Sequence, residues 1–379
     1  MPTGHLVFAV GDALFAAALD LDALEVSGEP FPVVTDVLRP VRRQAIIEAG
    51  SANYGFSRGG TLVHVQREEV TRNRVPALVD RDGRVQRLDL RPAPYVNPRI
   101  SPDGRRLALQ TLEDDGRGDI WIYDLSGQSQ VRQLTTGGDN FFPLWTPDSR
   151  RVTFVSNRDG TRSIYWQLAD GGALAQRLTT AREGSSERPD AWSPDGRILA
   201  YRVYRDQRAT IWTLTRGGEA RPFHDPGPGI TAYEAAFSPD GKWLAYTSTE
   251  TGADEISIMP FPGPGAPVRL TRDGGTFPMW SPDGREIFYR HSFHKQISRT
   301  QGARLFSLPI STAGTVQFGN ERTLPLEGFL VFNTYRDYDI TPDGTRFLLI
   351  YHVGRPARPP RIGVVQNWFE ELKARAPAR

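Results

Sequence analysis

Short apolar runs recur along the chain in a fixed order. One group reads Arg106-Leu107-Ala108-Leu109, then Ile120-Trp121-Ile122-Tyr123, then Arg132-Gln133-Leu134-Thr135. The same order returns in Trp243-Leu244-Ala245-Tyr246, in Ile164-Tyr165-Trp166, in Ile211-Trp212-Thr213-Leu214, and in the closing runs Gln176-Arg177-Leu178-Thr179 and Val268-Arg269-Leu270-Thr271. The runs are short, aromatic or β-branched, and bounded by Gly, Asp and Pro, so they predict strands.

A turn motif separates the groups. Its clear copies are Ser101-Pro102-Asp103-Gly104, Ser193-Pro194-Asp195-Gly196, Ser238-Pro239-Asp240-Gly241 and Ser281-Pro282-Asp283-Gly284; Thr146-Pro147-Asp148-Ser149 and Thr341-Pro342-Asp343-Gly344 are variants. Ser57-Arg58-Gly59-Gly60 is a worn copy, and Met1-Pro2-Thr3-Gly4 reads as an eighth. The order suits a type I turn: serine first, proline presetting φ at the second place, glycine at the crowded fourth. Phe56, Ile100, Trp145, Trp192, Phe237, Trp280 and Ile340 each precede a copy. Successive steps are 56, 44, 45, 47, 45, 43 and 60 residues, and a period in the forties is the length of one four-stranded propeller blade. A blade buries its faces only against neighbours in a ring. The expected fold is therefore all-β: a β-propeller of four-stranded antiparallel blades built from eight repeat units. Eight blades with incomplete ends is the leading arrangement, seven plus an N-terminal hairpin the next, and a full ring with part of another the third. The expected domains are a propeller over 1–366 and a short C-terminal helix and tail over 367–379, with the helix at Asn367–Lys373.

The turn motif, the strand Asp119-Ile120-Trp121-Ile122-Tyr123-Asp124-Leu125 and the closing Arg-Gln-Leu-Thr at 132–135 resemble the TolB-type, WD-like propeller repeat. The segments Gly4–Ala9, Gly28–Val33, Phe261–Gly265 and the ending Val364–Lys373 are similar to the propeller region at the C-terminal end of bacterial membrane serine/threonine protein kinases. That resemblance implies a signalling role beside an upstream kinase and membrane span, neither of which is present in this chain, and a periplasmic or extracytoplasmic place.

Composition sharpens the exclusions. The net charge is +2, and only three of the 46 basic residues are lysine, so no basic patch marks a nucleic-acid partner. There is no cysteine, hence no disulfide and no thiolate ligand. No run reaches the roughly 18 apolar residues of a membrane helix, so no direct membrane insertion is expected. Leu6–Leu19 resembles a leader, but no Lys or Arg precedes it and Gly11-Asp12 breaks it; it is expected to form two strands.

Tested one by one, the chemical motifs dissolve. Gly55-Phe56-Ser57-Arg58-Gly59 matches a nucleophile elbow, but Thr61–Val65 reads as a strand where an elbow needs a helix. Too few residues follow Thr341 for the hydrolase domain that some propeller peptidases carry. Kinase loops and a P-loop are missing. His291 and His294 are the one close histidine pair and read as loop residues; His64, His224 and His352 are left open as a cross-blade group. Asp114, Asp115 and Asp119 lack an EF-hand pattern. Arg117-Gly118-Asp119 is expected to be structural, and the Pro-Arg stretch 354–361 a stiff loop. No catalytic residue, metal site or cofactor is assigned.

Loops entering the inner strands gather at one mouth of a propeller channel, and loops there can vary without cost to the core. The expected binding residues are Asn53, Tyr54, Tyr95, Asn97, Asp139, Asn140, Glu187, Arg188, Tyr233, Glu234, Tyr335, Arg336 and Asp337, with Phe141, Phe142 and Phe277 as wedges between blades. The mixed charge of Asp139 and Glu187 against Arg188 and Arg336 speaks against a simple anion pocket. The expected function is a non-catalytic binding module for a protein or peptide partner, with a small ligand as the other option. A propeller hydrolase or lyase with a His/carboxylate or metal site at the mouth is the alternative.

Overall fold

In a computed structural model the described residues are 3–10, 13–20, 22–35, 37, 53–66, 73–113, 116–126, 131–291, 304–331, 335–353 and 361–375. The protein is an antiparallel β structure with eight sheets among these residues, in step with the eight repeat units. The contacts gather them into two compact units, Met1–Thr71 with Gly354–Arg379, and Arg72–Val353.

The larger unit is a six-bladed propeller. Blades 1 to 5 cover 95–133, 140–177, 185–224, 232–269 and 276–323 in chain order. Blade 6 is shared between the two ends of the unit. Asp339–Ile340 and Arg346–His352 continue into Arg74–Asp80 and Val85–Arg87, with Leu348 opposite Leu78 and Leu349 opposite Ala77. Phe347 and Leu349 pack with Phe277 and Phe288 of blade 5, while Leu78 and Leu348 pack with Leu107 and Leu109 of blade 1. The ring is thereby closed.

The eight-bladed and seven-bladed arrangements are corrected by this pairing. Strand Ile362–Val365 follows the last turn motif in sequence, yet it pairs with Leu62–Val65 in the other unit. Arg74–Asp80 takes the vacated place in blade 6 because its run of buried side chains fits between two apolar neighbours. A closed ring results within Arg72–Val353.

The smaller unit holds two three-stranded sheets, one of His5–Val10, Ala13–Asp20 and Glu25–Val34, the other of Ile362–Val365, Leu62–Val65 and Tyr54–Phe56. Helix Trp368–Arg375 buries Trp368 and Leu372 against Leu14, Ala16 and Leu62. The leader-like stretch forms the two expected strands, paired from His5 with Ala18 to Val10 with Ala13. Ser57 keeps the repeat's turn role, its Oγ accepting the Thr61 N–H at 3.1 Å, and a strand follows it as expected.

Six turn motifs order the ring by one repeated set of bonds. The first-place hydroxyl donates to the Asp carboxylate at 2.5–2.6 Å in all six. The same hydroxyl oxygen accepts the backbone N–H five residues on, at 2.9–3.1 Å. The fourth residue has φ between +57° and +71°, a region that costs side-chain-bearing residues. Its close neighbour is the proline of the preceding blade's turn. A Cβ on Gly196, Gly241, Gly284 and Gly344 would meet Pro147, Pro194, Pro239 and Pro282 at 3.4–3.7 Å. Gly104 meets Pro342 in the same way, which joins blade 1 to blade 6. Ser149 occupies the one remaining place and adds a bond, accepting the Asp103 N–H of blade 1 at 3.0 Å.

Gly241→Ala is expected to lower the unfolding free energy by about 1–2 kcal/mol, read by denaturant titration; Ser149→Gly, which relieves φ strain but loses the Asp103 bond, is expected to lie near zero. A full-size loss at Ser149→Gly with none at Gly241→Ala would contradict the interlock.

The turn carboxylates set an acid limit. Burial works against ionisation of Asp103, Asp148 and Asp240, but hydroxyl and backbone N–H bonds outweigh it; at Asp195, Asp283 and Asp343 the hydroxyl bond leads. All six are held below the usual carboxylate range. Their stabilisation is thus fully present above the unfolded value near 4 and lost as pH falls through the folded values. Thermal midpoints are expected to drop steeply below about pH 4, and less steeply in Asp240→Asn; an unchanged slope would show that these bonds do not set the limit.

Candidate functional site

Five of the six inner strands of the ring are interrupted four residues before the turn motif. Asn97, Phe142, Glu234 and Phe277 have φ of +50° to +61° there, and the register shifts around them. Blade 3 has Pro189 at this place, with its own shift before Ala191. Such bulges re-aim neighbouring side chains. Residues from all six blades reach the channel: Arg99, Phe142, Arg188, Asp190, Glu234, Pro278, Tyr335 and Arg336, joined by Arg202 from the second strand of blade 3. About 20 Å³ of free space is left among them, room for about one water molecule.

The channel is therefore a buried charge cluster. Arg202 Nε lies 3.2 Å from Asp190 Oδ1, and its Nη2 donates to Glu234 of blade 4. Asp190 Oδ2 accepts the Ala235 N–H at 3.3 Å, so one carboxylate ties blade 3 to blade 4. Arg99 donates to the carbonyls of Pro98 at 2.7 Å and Arg336 at 2.8 Å. Arg336 Nη2 is 3.9 Å from Asp339 Oδ1, whose other oxygen accepts the Ile100 N–H at 2.8 Å. The Arg188 guanidinium sits 3.6 Å above the Phe142 ring, and Tyr335 meets the same ring edge-on at 5.7 Å. Behind this layer Arg290 Nη1 lies 3.2 Å from the fully buried Asp337.

Burial dominates the ionisation of these groups. It pushes Asp190 up to about 6 against the pull of Arg202. Burial, with Arg202 adding repulsion, lowers Arg188 to about 9; burial, with Arg336 adding, lowers Arg99 to about 10. Burial also opposes the Glu234 carboxylate, but Arg202 and Arg188 prevail and hold it below its ordinary value.

Of the thirteen expected binding residues, Arg188, Glu234, Tyr335 and Arg336 meet at the channel. Asn53 and Tyr54 lie in the smaller unit, not in the ring. Tyr95 is a core residue between blades 6 and 1, and Asn97 donates to Gln110 at 2.7 Å. Asp139 holds Asn157 at 2.8 Å, while Asn140 donates to Asp119 at 3.2 Å. Glu187 accepts from Thr179, the last residue of a closing run. Tyr233 donates to Asp254 at 2.8 Å, and Asp337 is the buried partner of Arg290. Asn140, Glu187 and Asp337 bond to the neighbouring blade and Asn97, Asp139 and Tyr233 within their own, because inner-strand starts are buried, where an unbonded polar group is costly.

Phe141 and Phe277 are buried wedges as expected, but Phe142 lines the channel. Arg99, Asp190, Arg202 and Asp339 were not among the expected residues. A signal existed for three. At two and three places before the motif the repeats carry Pro, Leu, Ala, Met or Tyr, and Arg99, Asp190 and Asp339 break that pattern.

The remaining motifs settle into structure. Asp119 of the Arg-Gly-Asp tripeptide accepts from Thr135 at 3.0 Å and begins a strand rather than lying in a loop. His291 lies 3.2 Å from Glu321 and stacks on Phe306; His294, Asp114, Asp115 and residues 354–360 lie outside the described residues. His224 packs on Tyr246 between blades 3 and 4, whereas His352 belongs to blade 6, so those two do not meet. Among the described residues no group of three or more His, Asp or Glu could hold a metal ion, and no helix is long and apolar enough to cross a membrane.

Residues 82–191 match the family described as the TolB beta propeller domain. The fold of the larger unit is a β-propeller, and the part matched by the TolB family lies in its first three blades and the strand before them. The structure of a putative TolB from Agrobacterium tumefaciens superposes with a TM-score of 0.56 at 20% identity, covering 75% of this chain and 99% of that one. Among curated proteins, uncharacterized protein Atu1656 of Agrobacterium fabrum is 28% identical over 210 residues, 51% of this chain and 69% of that protein. The uncharacterized peptidase YuxL of Bacillus subtilis is 27% identical over 202 residues, 43% of this chain but only 30% of the peptidase.

Arg202→Met is expected to cost about 3–5 kcal/mol, because it strands two buried carboxylates. Adding Asp190→Asn and Glu234→Gln is expected to recover most of that loss in denaturant unfolding. A cost below about 1 kcal/mol for the single change would place the pair among surface-like ion pairs.

Proposed function

We propose that this TolB-type propeller is a non-catalytic recognition module that engages a protein or peptide partner at the channel mouth. The observation that carries this reading is the filled channel. Interlocked arginines and carboxylates leave space for about one water, whereas small-molecule sites are clefts of roughly 300–1,000 Å³. Partner contact then falls to the mouth, where the partly exposed Phe142, Arg188 and Arg336 are aromatic and arginine anchors of the type that dominates interfaces. The segments Gly28–Val33 and Val364–Lys373 support a finer reading: an extracytoplasmic sensor region associated with a receptor-type serine/threonine kinase, acting by differential ligand affinity for two states.

A photo-crosslinking residue at Phe142 is expected to trap a discrete partner in cells, while one at Leu174, 90% exposed on blade 2, traps none. The purified partner should then bind Arg336→Ala at least about tenfold more weakly. Turnover of a lactone, ester or peptide by the pure protein, abolished by Glu234→Gln, would overturn the reading in favour of a propeller enzyme. For the finer reading, a coding frame upstream of Met1 that contains no kinase would remove the kinase association.

A further inference from the structure

Two places recur at each joint of the ring: the first residue of one blade's second strand, and the residue closing the third strand of the next blade. In five blades the closing residue donates its N–H to the carbonyl just before its own second strand, at 2.8–2.9 Å: Leu125, Ala169, Arg216, Phe261 and Ile310. Four of these are apolar and pack with the clusters at their joints. In blade 6 the place falls to Arg81, next to Asp80, and its charge is met. Arg81 Nη1 lies 2.6 Å from Glu286, which opens the second strand of blade 5. The joint between blades 2 and 3 alone sets arginine at both places, Arg151 and Arg216.

A cleft of about 300 Å³ opens at that joint, lined by the two arginines, Trp166, Pro147 and Pro194 together with Asp148 and Asp195 of the turns. This is the lower end of the size range of small-molecule sites. Its floor is the buried Trp166, stacked on Trp192 at 5.9 Å. The guanidinium groups of Arg151 and Arg216 lie 4.8 Å and 5.0 Å from the centre of the Trp166 ring. The charges of the lining balance in number, but not in place. Each aspartate accepts a hydroxyl in its own turn; Asp148 is 3.9 Å from Arg151, and Asp195 is 3.8 Å from Arg197, outside the cleft. Among the described residues no carboxylate comes within ion-pair distance of Arg216, whose guanidinium rests on the Trp166 ring.

We propose that this cleft binds a small monocarboxylic acid, with its carboxylate on Arg216 and Arg151 and its apolar body on Trp166. The acid supplies from outside what Glu286 supplies to Arg81 within the ring. Guanidinium groups offer planar forks that match a carboxylate. The two aspartates repel a doubly charged group such as a phosphate more than a single charge. The cleft lies at the turn-motif end of the inner strands and does not depend on recognition at the channel mouth.

The test uses the full chain and follows the indole N–H resonance of Trp166, identified by its loss in Trp166→Phe. The probes are benzoate, benzamide, acetate and an amidated, N-acetylated peptide containing one Glu. Benzoate should shift the resonance saturably and benzamide should not. Arg216→Leu, which restores the apolar type found in four other blades, should weaken benzoate about tenfold, the loss of one charge-assisted hydrogen bond. Its thermal midpoint should equal or exceed that of the parent, so the loss is not a folding defect. Arg216→Glu, which places a carboxylate beside Arg151, should abolish binding. A shift by acetate or benzoate assigns a free acid as the ligand and supports the site. A shift by the Glu peptide alone assigns a protein side chain and overturns the small-acid proposal. Equal shifts by benzoate and benzamide, binding indifferent to Arg216→Leu, or no shift by any probe also overturn it. Crosslinking at Phe142 would be unaffected by that failure, so the recognition reading is tested apart from this one.

Discussion

Everything in the ring depends on one hydroxyl–carboxylate bond made six times. In each turn a Ser or Thr hydroxyl donates to the Asp two residues on and accepts the backbone N–H five residues on. This reverses the chain at the end of each inner strand and holds the fourth residue at positive φ. In five of the six turns that residue is a glycine, and it rests on the neighbouring blade's proline; at the sixth, Ser149 hydrogen-bonds across the joint. The turns therefore act as a chain of contacts that ends where it began, at Gly104 and Pro342.

The narrow channel follows from that geometry. Six inner strands drawn together by their turns leave little space, and five of them add a bulge at the same offset from the motif. Side chains at these offsets must share a small volume with limited water. Charges there are costly unless paired: Arg202 holds Asp190 and Glu234, and Arg99 donates to main-chain carbonyls.

Much of the fold was legible because its determinants are local. The turn motif, the preceding aromatic and the closing Leu-Thr all do locally what their chemistry suggests; Thr135 and Thr271, for example, accept the backbone N–H of Ile120 and Ile256. Closure was not legible. Whether Arg361–Val365 or Arg74–Asp80 completes the last blade depends on long-range packing, and both runs have strand-like sequences. The site was half legible for a related reason. Polar residues at strand starts look alike in sequence, yet Glu187 bonds a threonine at a blade joint while its neighbour Arg188 faces the channel. Arg202, contributed by a second strand, had no motif to mark it.

The pairing of Arg74–Asp80 with Arg346–His352 is the claim on which ring and channel both rest, and hydrogen exchange of the intact chain tests it directly. The account predicts that amides of the two strands are protected to the same high level as the central strands of blades 2 to 4, and that they exchange together. Early exchange of Arg74–Asp80, with Arg346–His352 still protected, would contradict closure by that pair.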